Sequence, residues 1–238
     1  MNEKTATGAA AWHEREWDLV IMGAGTTGLS AAAFAGARNG RVLLVDASPD
    51  LGGSLLVAHG QISAAGTKLQ KAKGIHDTPE MHYEEALRIS KGTIDKDLAR
   101  LAIFNAAEAF DWLCDNGYDL VDGVPSLSNA HEPYTVARYY WGKDWGRSIS
   151  KVLVKAVEEQ VARGTVVKQL STRIVDLLQD VDGTVIGVVT EENDGSRRRV
   201  RARNVLLASG GYAANPEMFE RERSVRLTVV APGRGPGV

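Results

Sequence analysis

Short, nearly continuous apolar runs recur along the chain: Trp17-Asp18-Leu19-Val20-Ile21-Met22, Arg41-Val42-Leu43-Leu44-Val45-Asp46 and Asn204-Val205-Leu206-Leu207-Ala208. Unbroken apolarity over so few residues is what a parallel strand buried on both faces requires. Between the first two runs, Leu29 to Asn39 is rich in alanine and stops at Gly40, which predicts a helix with a C-terminal glycine. Strand, helix and strand make a right-handed βαβ unit of about 30 residues. From Ala47 to Gly66 the chain is loop-like. Pro79 to Ser90, Lys96 to Asn116 and Ser148 to Arg163 carry helical signals, the last two closed by Gly117 and Gly164. In the second, Leu98, Leu101, Ala102, Asn105, Ala109, Trp112 and Leu113 keep a helical period. Residues 118–147 have no period and hold five Gly or Pro among Tyr134, Tyr139, Tyr140, Trp141 and Trp145. Thr165 to Gln169 reads as a strand. Thr172 to Asp180, Thr184 to Glu192 and Arg197 to Ala202 read as an antiparallel meander turning at Asp182-Gly183 and Asp194-Gly195.

Composition narrows the function classes. The 238 residues are 44% hydrophobic and 24% charged, as in ordinary globular proteins. A net charge of -2 draws the chain to neither nucleic acid nor an acidic membrane. The run Arg197-Arg198-Arg199 follows a turn signal and reads as a solvated hairpin edge. The single cysteine, Cys114, excludes an internal disulfide and fits a reducing compartment. It stands in an apolar helical stretch, as a packed thiol does. Residues 1–16 read as a loose polar tail, and no segment offers about 18 uncharged apolar residues for a membrane span. The expected location is the cytoplasm. Histidines 13, 76 and 82 lack partners at metal spacing, so no metal site is expected.

The chemistry lies where the runs meet glycines. Gly23-Ala24-Gly25-Thr26-Thr27-Gly28 joins the first strand to its helix. In such a turn the first glycine bends the backbone, the second lets it approach a pyrophosphate, and the third lets helix pack on strand. The helix start then offers N–H groups to phosphate. Asp46 closes the second strand 18 residues past Gly28, placed to accept hydrogen bonds from ribose hydroxyls. Asp46-Ala47-Ser48-Pro49-Asp50-Leu51-Gly52-Gly53-Ser54 then shows an acid, six residues and a glycine pair. That is a flavoprotein arrangement, whereas nicotinamide enzymes continue directly into another helix. Small residues from Ala58 to Thr67 let main chain lie against a flat ring. The strand at Val166-Val167 offers main-chain groups to an adenine. Leu206-Leu207-Ala208-Ser209-Gly210-Gly211 is a strand opening into glycines, which in two-dinucleotide-fold flavoproteins returns to the nucleotide beside the first strand. The expected fold is α/β: an FAD/NAD(P)-binding Rossmann-like fold with a parallel sheet, a β-meander and a helical insertion at about residues 70–163.

These motifs resemble the FAD-binding portion of the fumarate reductase/succinate dehydrogenase flavoprotein family, which includes the ketosteroid dehydrogenases. Its soluble fumarate reductase branch shows a stretch of the kind GGNTKLAAGGMNAAGT. Here Gly52-Gly53-Ser54-Leu55-Leu56-Val57-Ala58-His59-Gly60-Gln61-Ile62-Ser63-Ala64-Ala65-Gly66-Thr67 aligns with it without a gap. The likeness runs from Asp18 to about Asn215. It implies FAD as cofactor and hydride transfer between flavin and a CH–CH or C=C bond next to a carbonyl or carboxylate. The implied substrate is a small unsaturated acid or a ketosteroid-like molecule. Gly23, Ala24, Gly25, Thr26, Thr27, Gly28, Asp46, Ala47, Ser48 and Val167 are assigned to the ADP half. Gly52, Gly53, Ser54, Leu55, His59, Gly60, Gln61, Ser63 and Ala65 are assigned to the ribityl and ring half. Ala208, Ser209 and Gly210 lie on the returning strand.

Three departures qualify the likeness. Ser54 stands where membrane-bound members attach FAD to a histidine, so the resemblance implies non-covalent FAD. His59 replaces alanine or glutamine and either approaches the flavin or packs in its loop. The family's Gly-Asp-Gly gives way to Gly233-Arg234-Gly235-Pro236-Gly237-Val238. The expected organisation is a tail at 1–16 and an FAD-binding domain at 17–238, without the substrate-capping domain that carries the family's catalytic arginine and histidines. The catalytic residues are therefore unassigned. Three readings stay open: a partial flavin oxidoreductase, a non-catalytic FAD-binding piece or subunit completed by a partner (with oligomer formation possible), and an oxidase or monooxygenase of another branch. His131, Tyr134, Arg138, Tyr139 and Tyr140 either contact substrate at the pocket mouth or pack a long loop onto the sheet.

Overall fold

The computed structural model describes residues 12–127, 134–212 and 215–223. The chain divides after Ala208 into a large unit and a small C-terminal one. In the large unit, β1 (Leu19–Met22) and β2 (Val42–Val45) pair in parallel, Leu19 beside Val42 and Met22 beside Val45. The helix α1 (Thr26–Ala37) joins them. β5 (Val166–Gln169) and β9 (Val205–Leu207) complete a parallel sheet in the order β5-β2-β1-β9.

Alternation along the two central strands feeds two cores. Ile21, Val42 and Leu44 belong to the core shared with the helices, and Val20, Leu43 and Val45 to the core on the other face. This is why the runs are apolar at every position. The second core is closed by the antiparallel meander of β6 (Thr172–Gln179), β7 (Val185–Glu192) and β8 (Arg197–Arg201), through Ile174, Val188 and Val200. Its turns lie where expected, with Gly183 and Gly195 both at φ +82°. Arg197 and Arg198 pair with Glu191 and Glu192 on the neighbouring strand at 2.6 and 3.0 Å, a solvated edge.

Between β2 and β5 lies the helical excursion. It holds α2 (Lys68–Ala72), α3 (Pro79–Ile89), α4 (Lys96–Asp115) and α5 (Gly146–Ala162), with a two-stranded ribbon of β3 (Ile62–Ser63) and β4 (Tyr139–Tyr140). Side chains start three of these helices. Thr67 and Gln70 form a reciprocal capping box, the Thr78 hydroxyl accepts from Met81 N–H at 3.2 Å, and Asp95 accepts from Leu98 N–H at 3.0 Å.

Several sequence expectations are corrected. Residues 12–16 are not loose: Trp12–Glu14 form a 3-10 turn, Trp12 is buried, and the Trp17 indole donates to its carbonyl at 2.9 Å. Aromatic packing outweighs the polar composition there. The left-handed residue after α1 is Asn39, at φ +63°, one position before the expected glycine. On α4 the buried stripe is Ala99, Ile103, Phe110 and Leu113, while Leu98 and Leu101 are each 64% exposed. The helix carries two apolar stripes, and the bulkier one at its start faces outward. The apolar run ending at Ala208 predicts a strand buried on both faces, yet β9 is a sheet edge among the described residues, with Leu207 59% exposed. Residues 1–11, His131 and Gly233 to Val238 lie outside the described residues.

Arg138, Tyr139 and Tyr140 pack inside. Arg138 is fully buried, with Nε and Nη2 on the Asp77 carboxylate at 2.9 and 2.7 Å and Nη1 on Glu85. Gln70 joins them by donating to Asp77 and to the Ala137 carbonyl, both at 2.8 Å. This network binds α2 and α3 to β4, the strand of the ribbon that lies within the aperiodic segment. Beside it His82 is buried edge-on to Tyr134. Burial, and then the Arg138 charge, push its imidazole down to about 4. Cys114 is half-buried, and loss of solvent pushes its thiol up to about 11, which leaves it inert at neutral pH.

His82 yields a pH prediction. Its folded-state value lies below its unfolded value of 6.5, so the unfolded chain takes up the extra proton as pH falls. Its contribution, on the order of 3 kcal/mol, is present above pH 6.5 and is lost down to about pH 4. Urea unfolding across that window should show the loss, and His82→Phe should flatten it.

Candidate functional site

The site is built where the strands of the βαβ unit end. Gly23, at φ +106°, turns the chain out of β1 and donates to the Val45 carbonyl at 2.7 Å. Gly28 sits one helical turn on. A Cβ there would stand 1.7 Å from the Gly23 carbonyl oxygen, so only glycine lets α1 close on the turn. Gly25 caps α1 without a side-chain hydrogen bond, and a Cβ on it would meet nothing within 4 Å. The middle of the turn therefore opens outward.

Two further segments converge on it. The Asp46 carboxylate accepts from the Ala24 N–H at 2.5 Å and from the Ser48 N–H at 2.7 Å. Gly52, at φ +120°, donates to the Ala24 carbonyl at 2.9 Å. Gly53, at φ +52°, presses on the turn so closely that a Cβ would lie 3.0 Å from the Gly25 Cα. Ala24 is thus held from both sides, its N–H by Asp46 and its carbonyl by Gly52. Three motifs separated by up to 30 residues in sequence meet at one residue.

From there the chain runs through Ser54 and the buried Leu55 to a second glycine contact. Gly60 abuts Gly146 at the start of α5, where a Cβ would stand 2.4 Å from the Gly146 Cα. The Gly60 carbonyl accepts from the buried Tyr118 hydroxyl at 3.5 Å. His59 contacts Trp145 edge-to-face, ring centres 4.1 Å apart. Ser63 is half-buried in the ribbon, and Ala65 is fully buried behind it. A cleft of about 600 Å³ opens between α1, α4 and α5, lined by Thr26, Leu55, Gly60, Gln61 and Trp112 among others. It brings four expected site residues together with the α4 face that carries Asn105, Ala109 and Trp112.

Other expected residues stand apart from this cleft. Thr27 lies on the exposed side of the first turn of α1. Ala47 is exposed, and Ser48 accepts from Asp50 N–H at 3.0 Å. Val167 lies inside β5 opposite Leu43, its side chain against the second core. Ala208 donates to the Met22 carbonyl at 2.8 Å, which holds the end of β9 beside β1. Ser209 and Gly210 belong to the C-terminal unit, where Gly210 has φ +84° and Asn215 caps α6 (Pro216–Arg223) by accepting from Met218 N–H at 3.0 Å.

Sequence reasoning missed Gln169 and Ser171. The Gln169 carbonyl accepts from Asp46 N–H at 3.0 Å, and Ser171, at φ +52°, donates to the Ser48 carbonyl at 3.1 Å. The change from apolar to polar residues at the end of β5 was the available signal.

The FAD binding domain family matches residues 18–233. The chain belongs to that family. Among relatives of this FAD binding domain is the fumarate reductase (cytochrome) of Shewanella frigidimarina, 30% identical over 220 residues. That match covers 91% of this chain but only 37% of the relative, so the chain spans little more than a third of that protein's length. An open conformation of a flavocytochrome c3 fumarate reductase superposes with a TM-score of 0.77 at 30% identity, over 90% of this chain and 37% of the other. A 3-ketosteroid-Δ4-(5α)-dehydrogenase from Rhodococcus jostii RHA1 follows at 0.75 and 27%, over 91% and 50%. The resemblance read from the glycine motifs, and the α/β fold with it, are borne out.

Because a methyl group on Gly28 would enter a backbone oxygen, Gly28→Ala should lower the unfolding free energy by at least about 3 kcal/mol. Chemical denaturation of the variant beside the wild type measures this.

Proposed function

We propose that this chain holds FAD non-covalently, with the pyrophosphate over Gly25 and the adenosine ribose at Asp46. The convergence of Asp46 and Gly52 on the Ala24 backbone carries the reading. It leaves a turn lined by backbone, open at Gly25 and bordered by a carboxylate. A phosphate-bearing dinucleotide needs that combination: N–H groups at a helix start and an acceptor for hydroxyls. Ser54, in place of an attachment histidine, supports non-covalent binding. The Asp46 carboxylate is already aimed by two N–H donors, so ordering it costs little on binding.

Bound FAD would supply a two-electron donor or acceptor for hydride transfer to or from a CH–CH or C=C unit beside a carbonyl or carboxylate. The chain's own residues would position it. Gly53 and Gly60 bring main chain close, and Leu55, Ile62, Ile149 and Leu153 keep water from the cleft side. The substrate would be a small unsaturated acid or a ketosteroid-like molecule, handled in the cytoplasm.

One variant tests the flavin reading. Gly25 has an ordinary φ of -81° and open space where a Cβ would stand, so Gly25→Ala should fold with a melting temperature near wild type. Its methyl group would stand where the pyrophosphate must pass, and FAD affinity should fall at least about 100-fold, near 2.7 kcal/mol. Flavin fluorescence titration reads this. Acid precipitation of the loaded wild type should release all flavin to the supernatant. A Gly25→Ala protein that binds FAD as wild type sinks the reading.

A further inference from the structure

The arginines of β8 are of two kinds. Arg197 and Arg198 are neutralised by Glu191 and Glu192 on the neighbouring strand. Further along, the register changes their surroundings: Arg199 stands opposite Val189 and Arg201 opposite Gly187. Neither neighbour is charged. Among the described residues, no carboxylate lies within ion-pairing distance of Arg199, Arg201 or the nearby Arg15.

The sheet also leaves room beside them. Leu178, Gly187 and Arg201 form one row across β6, β7 and β8. The middle member has no side chain, so a gap remains between the outer two. Residues 13–16 wall this gap, because Trp17 N–H donates to the Arg201 carbonyl at 3.1 Å and ties the preceding turn to β8. The result is a hollow of about 240 Å³. His13 and Arg15 line it from one side, and Leu178, Ile186, Arg199 and Arg201 from the other. The His13 Nδ1 is buried and has no hydrogen-bond partner.

Three guanidinium forks around one hollow suit a group with several anionic oxygens. A carboxylate offers two such oxygens and one charge, whereas a phosphate monoester offers three oxygens and up to two charges. The hollow has space beyond a phosphate, over the apolar Leu178 and Ile186. Glu14 and Glu16 complete its lining, outside ion-pairing distance of the three arginines, and their carboxylates can accept from hydroxyl groups.

We propose that this hollow binds a phosphate monoester on a hydroxylated body, as in a sugar phosphate, with the phosphate held by Arg15, Arg199 and Arg201. It shares no residue with the Gly25 turn or the cleft beside α4, so the site stands independently of the flavin reading.

Calorimetric titration of the whole chain with ribose 5-phosphate, inorganic phosphate and ribose tests this, with FAD in excess throughout. Ribose 5-phosphate should bind at least about tenfold more tightly than either of the others. Arg199→Gln and Arg201→Gln, both at exposed positions, should melt within about 3 °C of wild type and each lose at least about tenfold in affinity. Arg197→Gln removes the same charge from a paired arginine on the same face and should stay within about twofold of wild type. Arg15→Gln, outside the sheet, should also lose about tenfold and serves should a strand variant fail to fold. Three outcomes overturn the proposal: no binding of the ester, inorganic phosphate binding as tightly as the ester, or an equal effect of all three β8 variants. Gly25→Ala should leave ribose 5-phosphate binding unchanged. Its loss there would assign the ligand to the nucleotide turn and overturn the proposal while supporting the flavin reading.

Discussion

The arrangement depends on the Ala24 backbone. Its N–H is taken by a carboxylate at the end of β2, and its carbonyl by the first glycine of the later pair. Neither bond is available unless β1 and β2 are in register, because Asp46 follows Val45, which pairs with Met22 just before the turn. Sheet register thus sets the spacing of the site. A slip of one residue would carry Asp46 away from the turn and reverse which apolar residues face each core. The double burial of β1 and β2 is the restraint against that slip.

Close backbone approach recurs down the proposed cofactor path. Gly28 lies on Gly23, Gly53 on Gly25, and Gly60 on Gly146, each too near for a side chain. These contacts place three stretches of main chain edge to edge, which side chains of ordinary size would prevent. The 25 glycines matter chiefly through these few. Others, such as Gly183 and Gly195, serve only the hairpins.

Much of the fold was legible because its signals are local. Apolar runs marked β1 and β2, Asp-Gly pairs marked the meander turns, and Gly23 to Gly28 marked the junction. The site was legible for the same reason at Asp46 and Gly52. What escaped depends on partners distant in sequence. Nothing near Trp12 announces that it will pack in one core with Ile174, Val188 and Val200, and nothing near Arg138 announces Asp77 and Glu85, more than fifty residues earlier. The outward face of α4 escaped because periodicity identifies a stripe but not what lies against it.

The buried ionic network and the glycine contacts divide the work between them. Arg138 is placed in a fully buried position where an unpaired charge would be untenable, so Asp77, Glu85 and Gln70 must all be present for the ribbon to seat. Replacement by apolar residues could be as stable, but would not specify one seating among several. The ribbon carries Ile62 and Ser63, which follow Gly60 and Gln61, and the same strand leads through Trp141 to Trp145. Fixing Arg138 therefore fixes both walls of the segment assigned to the ring half. The glycines let main chain approach main chain, and the ionic network decides where that main chain stands. Stability alone would favour neither, which is why both belong to the account of function.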